Sequence, residues 1–401
     1  MGDRQVVFVD VARTGFGRMG GTLKYIPASE LAAIAIRGLV EKSKIMEKGT
    51  VDSVFAGSAL HDVQSGDPAR YAMLAAGLPY EVTASYIEMQ CGSAIDAINH
   101  AAWKILCGGA DVVIAGGMES YSQYFVKFSM AVEPFKLNPP IPVAQKLTPV
   151  PADDISMLEV SENLARKWEI TRQECDAFAF DSQQRAGKAI AAGYFNDEII
   201  PVTIQGNKKV PGFEFAEDEH VRADTTLEGL AQLKPVMGAD CVTTAGNASG
   251  RNDGAAFVLM MSAEKAQELG YTPYARWVAA AESGVDPKYM GIAPAYSNML
   301  ALKRAGLSVK DIDVWECNEA FAAQNLSVIK EMENISGEKI DRSRWNINGG
   351  AIAFGHPNGA SGARICMFTM KELERSGGRY GLFSSCCGGG QGVSTLIENL
   401  R

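Results

Sequence analysis

Histidine is scarce in this 401-residue chain, at four residues, and the sequence contains no CxxC pair, no lysine- or arginine-rich run and no long apolar stretch. Each absence argues against a class of function. With 38 basic against 47 acidic residues, a net charge of −9 and no basic cluster, the chain lacks the electrostatic footprint of a nucleic-acid binder. Eight cysteines scattered without CxxC spacing match neither a zinc-ligand pattern nor a disulfide framework, so no metal is expected and a reducing compartment is. The apolar opening Val6-Val7-Phe8-Val9 is too short for a membrane span or a signal-peptide core. The expectation is a cytoplasmic protein with no membrane or nucleic-acid partner. An anionic small ligand stays open, because helix ends and a few local basic groups bind phosphate on an acidic protein.

What is present points to two or three domains sharing a large core. The length exceeds one ordinary domain, 47% of residues are hydrophobic, and 41 glycines promise tight turns and close backbone contacts. Short β-branched runs alternate with helical patterns, the mark of an α/β protein. Val6 to Val9 reads as a strand, Pro27-Ala28-Ser29-Glu30 opens a helix through Val40, and Ser53 to Gly57 reads as the next strand. One supersecondary unit occurs twice. Cys91-Gly92-Ser93 precedes a helix with Ala94, Ile98, Ala101 and Ile105 at helical spacing, followed by a strand Asp111 to Ala115 running into Gly116-Gly117. In the second half, Gly359-Ala360-Ser361-Gly362 precedes a helix ending near Gly377-Gly378. The strand Tyr380 to Ser384 follows and leads into Cys386-Cys387-Gly388-Gly389-Gly390. The stretch from about 121 to 250 differs: prolines 139, 140, 142, 149 and 151, a helix from Ser156 to Trp168, and charged turns suggest an insertion.

Three settings are suited to chemistry. Cys91 lies where a strand meets a helix, and a helix N-terminus favours a thiolate, drawing the pKa from about 8.5 toward roughly 3.5 to 7.5; a small buried thiol is the bland alternative. His356 stands among glycines, with Pro357 biasing its backbone to an extended form. The remaining histidines, His61, His100 and His220, are expected on the surface or on helices. Cys386 and Cys387 precede a glycine loop whose unobstructed amides suit an oxyanion site, or merely a tight turn with two buried thiols. Asn318 and Glu319 mark a strand-to-helix junction, where Asn318 would cap the helix or hold a catalytic water. Gly15-Phe16-Gly17-Arg18-Met19-Gly20 matches the dinucleotide pattern. The next helix opens only after Pro27, so a nicotinamide or flavin site lacks its required context.

Together Arg13-Thr14-Gly15-Phe16-Gly17-Arg18, Cys91-Gly92-Ser93, Ala115-Gly116-Gly117-Met118-Glu119-Ser120, Ala245-Gly246-Asn247-Ala248-Ser249-Gly250, Asn318-Glu319-Ala320-Phe321, Gly355-His356-Pro357 and Cys386 before the glycines resemble the thiolase family, in its order and almost end to end. The resemblance implies an α/β thiolase fold: two related βαβαβαββ halves (residues 1–120 with 251–272, and 273–401) forming a layered α-β-α-β-α core. Residues 121–250 would be a loop domain covering the coenzyme A site. It implies Cys91 as the acylated nucleophile, His356 as the acceptor of its proton, and Cys386 as the acid/base at the acetyl methyl carbon. His356 with a water on Asn318 would form one oxyanion hole, and the amides of Cys91 and Gly388 the other. Arg222 and Ser249 match positions that contact CoA. It implies CoA as a substrate with no permanently bound cofactor, acyl-CoA as the partner molecule, and a homodimer or homotetramer. Ser156-Met157-Leu158-Glu159, Ala293, Tyr296, Phe354 and Asn358 depart from the pattern of acetoacetyl-CoA-forming members. The expected reaction is reversible thiolytic cleavage or Claisen condensation of short-chain 3-ketoacyl-CoA. Longer or branched substrates, or a non-catalytic acyl-CoA-binding subunit, are the alternatives.

Overall fold

The computed structural model describes residues 4–62, 65–129, 139–206 and 211–401. In the first half, strand β1 (Val6–Arg13) leads to helix α1 (Ala28–Ser43), then β2 (Ser53–Gly57), α2 (Pro68–Ala75), β3 (Thr83–Ile87), α3 (Ser93–Leu106) and β4 (Val112–Ser120). Pro27 precedes α1 in an extended conformation, and Lys44, at φ 57°, ends it in the left-handed region. Two helices of the inserted segment follow: α4 (Met157–Lys167) and α5 (Arg172–Ala191). Each opens on a reciprocal capping box, Ser156 with Glu159 and Thr171 with Glu174, which satisfies the free amides of a helix start. Short hairpins, Lys127–Ser129 with Ile141–Val143 and Val202–Ile204 with Phe213–Phe215, belong to the same segment.

The chain then returns to the first sheet as β5 (Asn252–Ser262) and continues through β6 (Ala275–Gly284), α6 (Ala293–Ala305), β7 (Val314–Cys317), α7 (Ala322–Ser336), α8 (Asn358–Ser376), β8 (Tyr380–Cys387) and β9 (Gln391–Asn399). The first half pairs in the order β3-β2-β4-β5-β1 and the second in the order β7-β8-β9-β6. In each half the first strand runs antiparallel to the last, the last antiparallel to the strand just before it in the chain, and that strand parallel to the second. The counterpart of β3 is reduced to one parallel bridge, Trp315 to Trp345. The halves join edge to edge where Val7 and Phe8 pair antiparallel with Arg276 and Ala275.

Layering follows from strand periodicity. On β5, Ala255, Phe257, Leu259 and Met261 pack outward under α1, while Ala256, Val258 and Met260 face a central layer. That layer is α3 and α8. Ala94, Ile98, Ala101 and Ile105, the residues that predicted α3, are fully buried there against Ala363, Met367 and Met370 of α8. On the other side, Leu382 and Leu396 face an outer cluster that includes α6, α7 and parts of α4 and α5. Helices therefore lie outside and between the sheets, giving the α-β-α-β-α order.

Several local expectations needed correction. Strand β4 does not stop at Gly116-Gly117; it continues through both to Ser120. A side chain is excluded at Gly117, where a Cβ would lie 2.0 Å from the carbonyl oxygen of Gly359. Residues 359–362 lie inside α8 rather than before it. Cys386 and Cys387 are the last residues of β8 rather than loop residues, so their side chains point to opposite faces. Cys386 joins the outer cluster, and Cys387 joins the central layer.

Candidate active site

Cys91 sits in a single 3-10 turn, Gln90–Gly92, between β3 and α3. Gln90 is held at φ 50°, a left-handed conformation that costs a non-glycine residue about 1–2 kcal/mol. Ser93 secures the turn: its hydroxyl donates to the Gln90 carbonyl at 2.6 Å and accepts from the Met89 amide at 2.9 Å. The backbone amides of Cys91 and Gly388 both hydrogen-bond to the Cys91 sulfur. Two residues placed by resemblance, 297 positions apart in the chain, thus meet at one atom.

The expected low thiol pKa does not survive folding. Burial pushes the Cys91 thiol up to about 12, and the neighbouring Glu119 carboxylate adds to the rise, outweighing the two amides. A buried carboxylate beside sulfur opposes a second negative charge, so the resting nucleophile is a protonated thiol. It needs a base at the moment of attack.

The backbone and the ring of His356 are both held by hydrogen bonds. Its amide donates to the Gly250 carbonyl and to Asn252 Oδ1, each at 3.1 Å. Gly355 precedes it at φ 86°, where a Cβ would fall 2.2 Å from Asn252, so only glycine allows this approach. Ser361 Oγ lies 2.7 Å from His356 Nδ1 and donates its own proton to the Pro357 carbonyl at 3.1 Å. The ring therefore donates from Nδ1, and Nε2 keeps its lone pair. Burial, helped by the Arg364 charge, lowers the imidazole pKa to about 3, so the ring is neutral at neutral pH.

Asn318 Nδ2 lies 3.3 Å from His356 Nε2, while Asn318 Oδ1 is buried without a partner among the described residues. Its backbone is pinned by donation to the Ser384 carbonyl at 2.9 Å and acceptance from Asn325 Nδ2 at 3.0 Å. Helix α7 begins at Ala322 with Phe321 at its N-cap, so Asn318 does not cap it. Cys386 is fully buried two residues beyond Ser384, and burial raises its thiol well above the usual range, with Cys91 and Cys317 as neighbouring thiols. Cys91, Gly388 and Cys386 thus lie together, and Asn318 pairs with His356 and reaches the Cys386 strand through the Ser384 carbonyl.

Arg222 lies elsewhere, on a cleft of about 420 Å³ shared with His220, Thr225, Leu230, Leu233 and Gly246, within the size range of small-molecule sites. His220 is not on a helix: it is half-buried in a turn on this cleft, where desolvation lowers its pKa to about 4. Ser249 is not part of the cleft lining; its amide donates to the Ala320 carbonyl at 3.0 Å. The short path Gly246 to Gly250 nevertheless runs from the cleft to the carbonyl that receives the His356 amide. Among the described residues no group of three or more His, Cys, Asp or Glu side chains is arranged to hold a metal, and no helix is long and apolar enough to cross a membrane.

The sequence reading overlooked the supporting residues. Glu119 is fully buried and accepts from Ser58 Oγ and from the amides of Ala59, Leu60 and Gly359 at 2.9 to 3.2 Å, yet burial still lifts its carboxyl to about 7. Its place inside a recognised motif was the available signal. Ser361, one turn into a helix, carried none. Among the departures, Phe354 packs against Phe195 and Phe368 in an aromatic cluster, while Asn358 hydrogen-bonds Tyr121 beside Cys91.

A duplicated α/β fold whose halves bring two cysteines, a neutral histidine and convergent amides together defines an acyl-transferring enzyme of the thiol-nucleophile type. Comparison with known proteins agrees. Models of the "Thiolase, N-terminal domain" and "Thiolase, C-terminal domain" match residues 6–264 and 271–399. A β-ketoadipyl-CoA thiolase of Pseudomonas aeruginosa is 41% identical over 99% of this chain and 100% of its own length. An acetyl-CoA acetyltransferase of Chromobacterium violaceum is 42% identical over 98% and 99%. The crystal structure of human mitochondrial 3-ketoacyl-CoA thiolase superposes with a TM-score of 0.90 at 41% identity, covering 99% of each chain. The chain belongs to the thiolase family, acyltransferases that cleave or condense CoA thioesters with CoA as a substrate.

Proposed function

We propose that this protein catalyses reversible thiolysis and Claisen condensation of short-chain 3-ketoacyl-CoA through an acyl-Cys91 intermediate. The meeting of the Cys91 sulfur with the Gly388 amide, with Cys386 as a neighbouring thiol, carries this reading, and the neutral His356–Asn318 pair supports it. In cleavage, Cys91 attacks the 3-keto carbonyl as His356 Nε2 takes its proton, which removes the need for a pre-formed thiolate. The amides of Cys91 and Gly388 receive the oxyanion. Carbon-carbon cleavage releases the acetyl-CoA enolate, whose oxygen is held by the protonated His356 ring and a water on Asn318 Oδ1. Cys386 then protonates the enolate carbon. Free CoA gives its thiol proton to the Cys386 thiolate and takes the acyl group from Cys91, whose sulfur recovers its proton from His356, completing two displacements in place of one harder one. Condensation is the same path reversed.

The cleft carrying Arg222 is the proposed entrance for CoA, with Ser249 along the route to His356. Residues 121–250 serve as the loop domain over it, flanked by residues 1–120 with 251–272 and by 273–401. A homodimer or homotetramer in the cytoplasm completes the proposal, in keeping with eight cysteines and no disulfide framework. Relatives named β-ketoadipyl-CoA thiolase favour a second reading in which the acyl chain is longer than acetoacetyl.

The test is thiolysis and acyl-enzyme mass spectrometry for wild type, Cys91→Ala and Cys386→Ala across a 3-ketoacyl-CoA panel. Cys91→Ala is expected to lose acylation and at least about 10⁴-fold in turnover. Cys386→Ala is expected to acylate from acetyl-CoA yet fail to exchange methyl protons with solvent. Near-wild-type turnover by either variant contradicts the assigned roles, and intact CoA binding without turnover by wild type favours a binding subunit.

A further inference from the structure

Resting on the reading of the Arg222 cleft as the CoA entrance, we infer that Arg13-Thr14-Gly15-Phe16-Gly17-Arg18 is a bracket that sets the cleft segment 218–222 against His356, with Asp218 and Glu219 as its positioning residues. The glycine-rich motif does bind anions, but they belong to the chain itself. Asp218 Oδ1 accepts from the Phe16 amide at 2.9 Å, and the two Asp218 oxygens take Arg13 Nη1 and Nη2 at 2.7 and 2.8 Å. Glu219 accepts from the Arg18 amide and the Thr22 hydroxyl, each at 2.8 Å, and its own amide donates to the Phe16 carbonyl at 3.0 Å. Amides gathered at such a turn suit an anion, and here two carboxylates fill that place. Gly15 permits the approach, because a Cβ there would lie 2.1 Å from the Glu217 carbonyl oxygen. Arg13 Nε meets Glu198 at 2.6 Å, and the Arg13 and Glu198 side chains are fully buried. A bidentate arginine–carboxylate pair is directional, so it fixes the heading of the segment as well as its distance.

Two faces of the bracket lead to two parts of the site. Beyond Glu219, His220 and Arg222 line the cleft of about 420 Å³. Gln183 of α5, also on the cleft, accepts from the Arg222 amide at 2.8 Å. On the other face the Gly17 carbonyl accepts from Asn252 Nδ2 at 2.9 Å, and Asn252 Oδ1 accepts from the His356 amide at 3.1 Å. The His220 ring joins the two faces: a Cβ on Gly250 would lie 2.2 Å from it, and the Gly250 carbonyl is the second acceptor of that same His356 amide. The Arg222 side chain is exposed, so its direction depends on how its backbone is held, by the bracket on one side and Gln183 on the other. Loosening the segment leaves the bonds from Asn252 and Gly250 to His356 intact, while CoA loses a preorganised contact.

The test follows thiolysis of acetoacetyl-CoA by wild type, Asp218→Asn, Glu219→Gln and Arg222→Ala. Calorimetric titration of CoA and alkylation of Cys91 by iodoacetamide, a reagent too small to need the cleft, accompany each protein. Asp218→Asn keeps the side-chain shape and leaves Arg13 paired with Glu198, so no buried guanidinium is stranded. It is expected to raise both KM and Kd for CoA by about 10- to 100-fold, the range for a hydrogen bond to a charged group. Its kcat and its Cys91 alkylation rate should stay within about three-fold of wild type, the pattern of lost binding rather than lost chemistry. Glu219→Gln, at a more exposed side chain, should weaken CoA by about 10-fold or less. Losses in kcat and alkylation that match the loss in CoA affinity show a general packing role and overturn the proposal, as does unchanged CoA affinity in both carboxylate variants. If Asp218→Asn does not fold, Glu219→Gln decides between these outcomes. Unaltered CoA affinity in Arg222→Ala overturns the cleft reading and this proposal with it. A wild type that binds CoA without thiolysis overturns the enzyme reading alone, and the bracket is then judged on Kd.

Discussion

The two halves of the molecule follow the same chain path but place different side chains at matching positions. Cys91 stands two residues before α3, and His356 two residues before α8. Glu119 is the second-last residue of β4, and Cys386 the second-last of β8. Ser58 follows β2, and Asn318 follows β7. In the first half the strand-end acid is held by four donors, one of them the Ser58 hydroxyl. In the second half the strand-end position carries an uncharged thiol, and the residue after β7 turns its amide to His356. One scaffold, used twice, brings the same helix starts and strand ends toward a common site. The substitutions between copies give one half a thiol with a buried carboxyl behind it, and the other an imidazole with a second thiol.

Apart from loss of the cysteines themselves, the largest effect is expected from removing what the second half adds. Asn318→Ala should lower kcat by about 10² to 10³-fold, the usual loss for one oxyanion-hole group. Ser361→Ala, which removes the acceptor that fixes the Nδ1–H tautomer, should cost about 10- to 100-fold. If steady-state kinetics show both variants within two-fold of wild type, the second half does not contribute its base and oxyanion site as described.

The junction between halves can be strained directly. A Cβ at Gly117 would meet the carbonyls of Gly359 and Gly57 at 2.0 and 2.6 Å. Gly117→Ala should therefore destabilise the fold by at least about 1–3 kcal/mol in denaturant melts. An unchanged midpoint would mean that the halves have slack where the structure shows close contact.

A smaller effect sharpens the contrast between acid and thiol. The Glu119 charge raises the Cys91 thiol pKa, so Glu119→Gln should favour the thiolate. The onset of Cys91 alkylation, followed by peptide mass spectrometry against pH, should move to lower pH. Glu119 has a carboxyl raised to about 7 and is ionised where the thiol titrates, which sets this sign. A shift to higher pH would show that the carboxylate supports the thiolate instead.

Much of this organisation was legible in the residues. The run Ser53 to Gly57 is β2 itself, Ala94 to Ile105 gave the buried face of α3, and the helix expected from Ser156 to Trp168 is α4 within a residue at each end. Element ends were harder to read. Glycines suggested breaks at 116–117 and 359–362, but they reflect close packing between the halves, a property of distant segments rather than of local conformation. The thiol of Cys91 failed in the same way: a helix start predicts a low pKa, and burial beside Glu119 reverses it. Adjacent Cys386 and Cys387 looked equivalent until strand pairing sent them to opposite faces.

The sequence by itself determined the periodicities, the repeat and the few residues capable of the chemistry, because backbone preference and side-chain type are local properties. Tertiary structure alone decided which groups meet and in which protonation state. It set Gly388 against Cys91, Ser361 against His356, and Arg13 against Asp218. Desolvation and Coulomb interactions depend on distance through space, and separation along the chain does not reveal that distance.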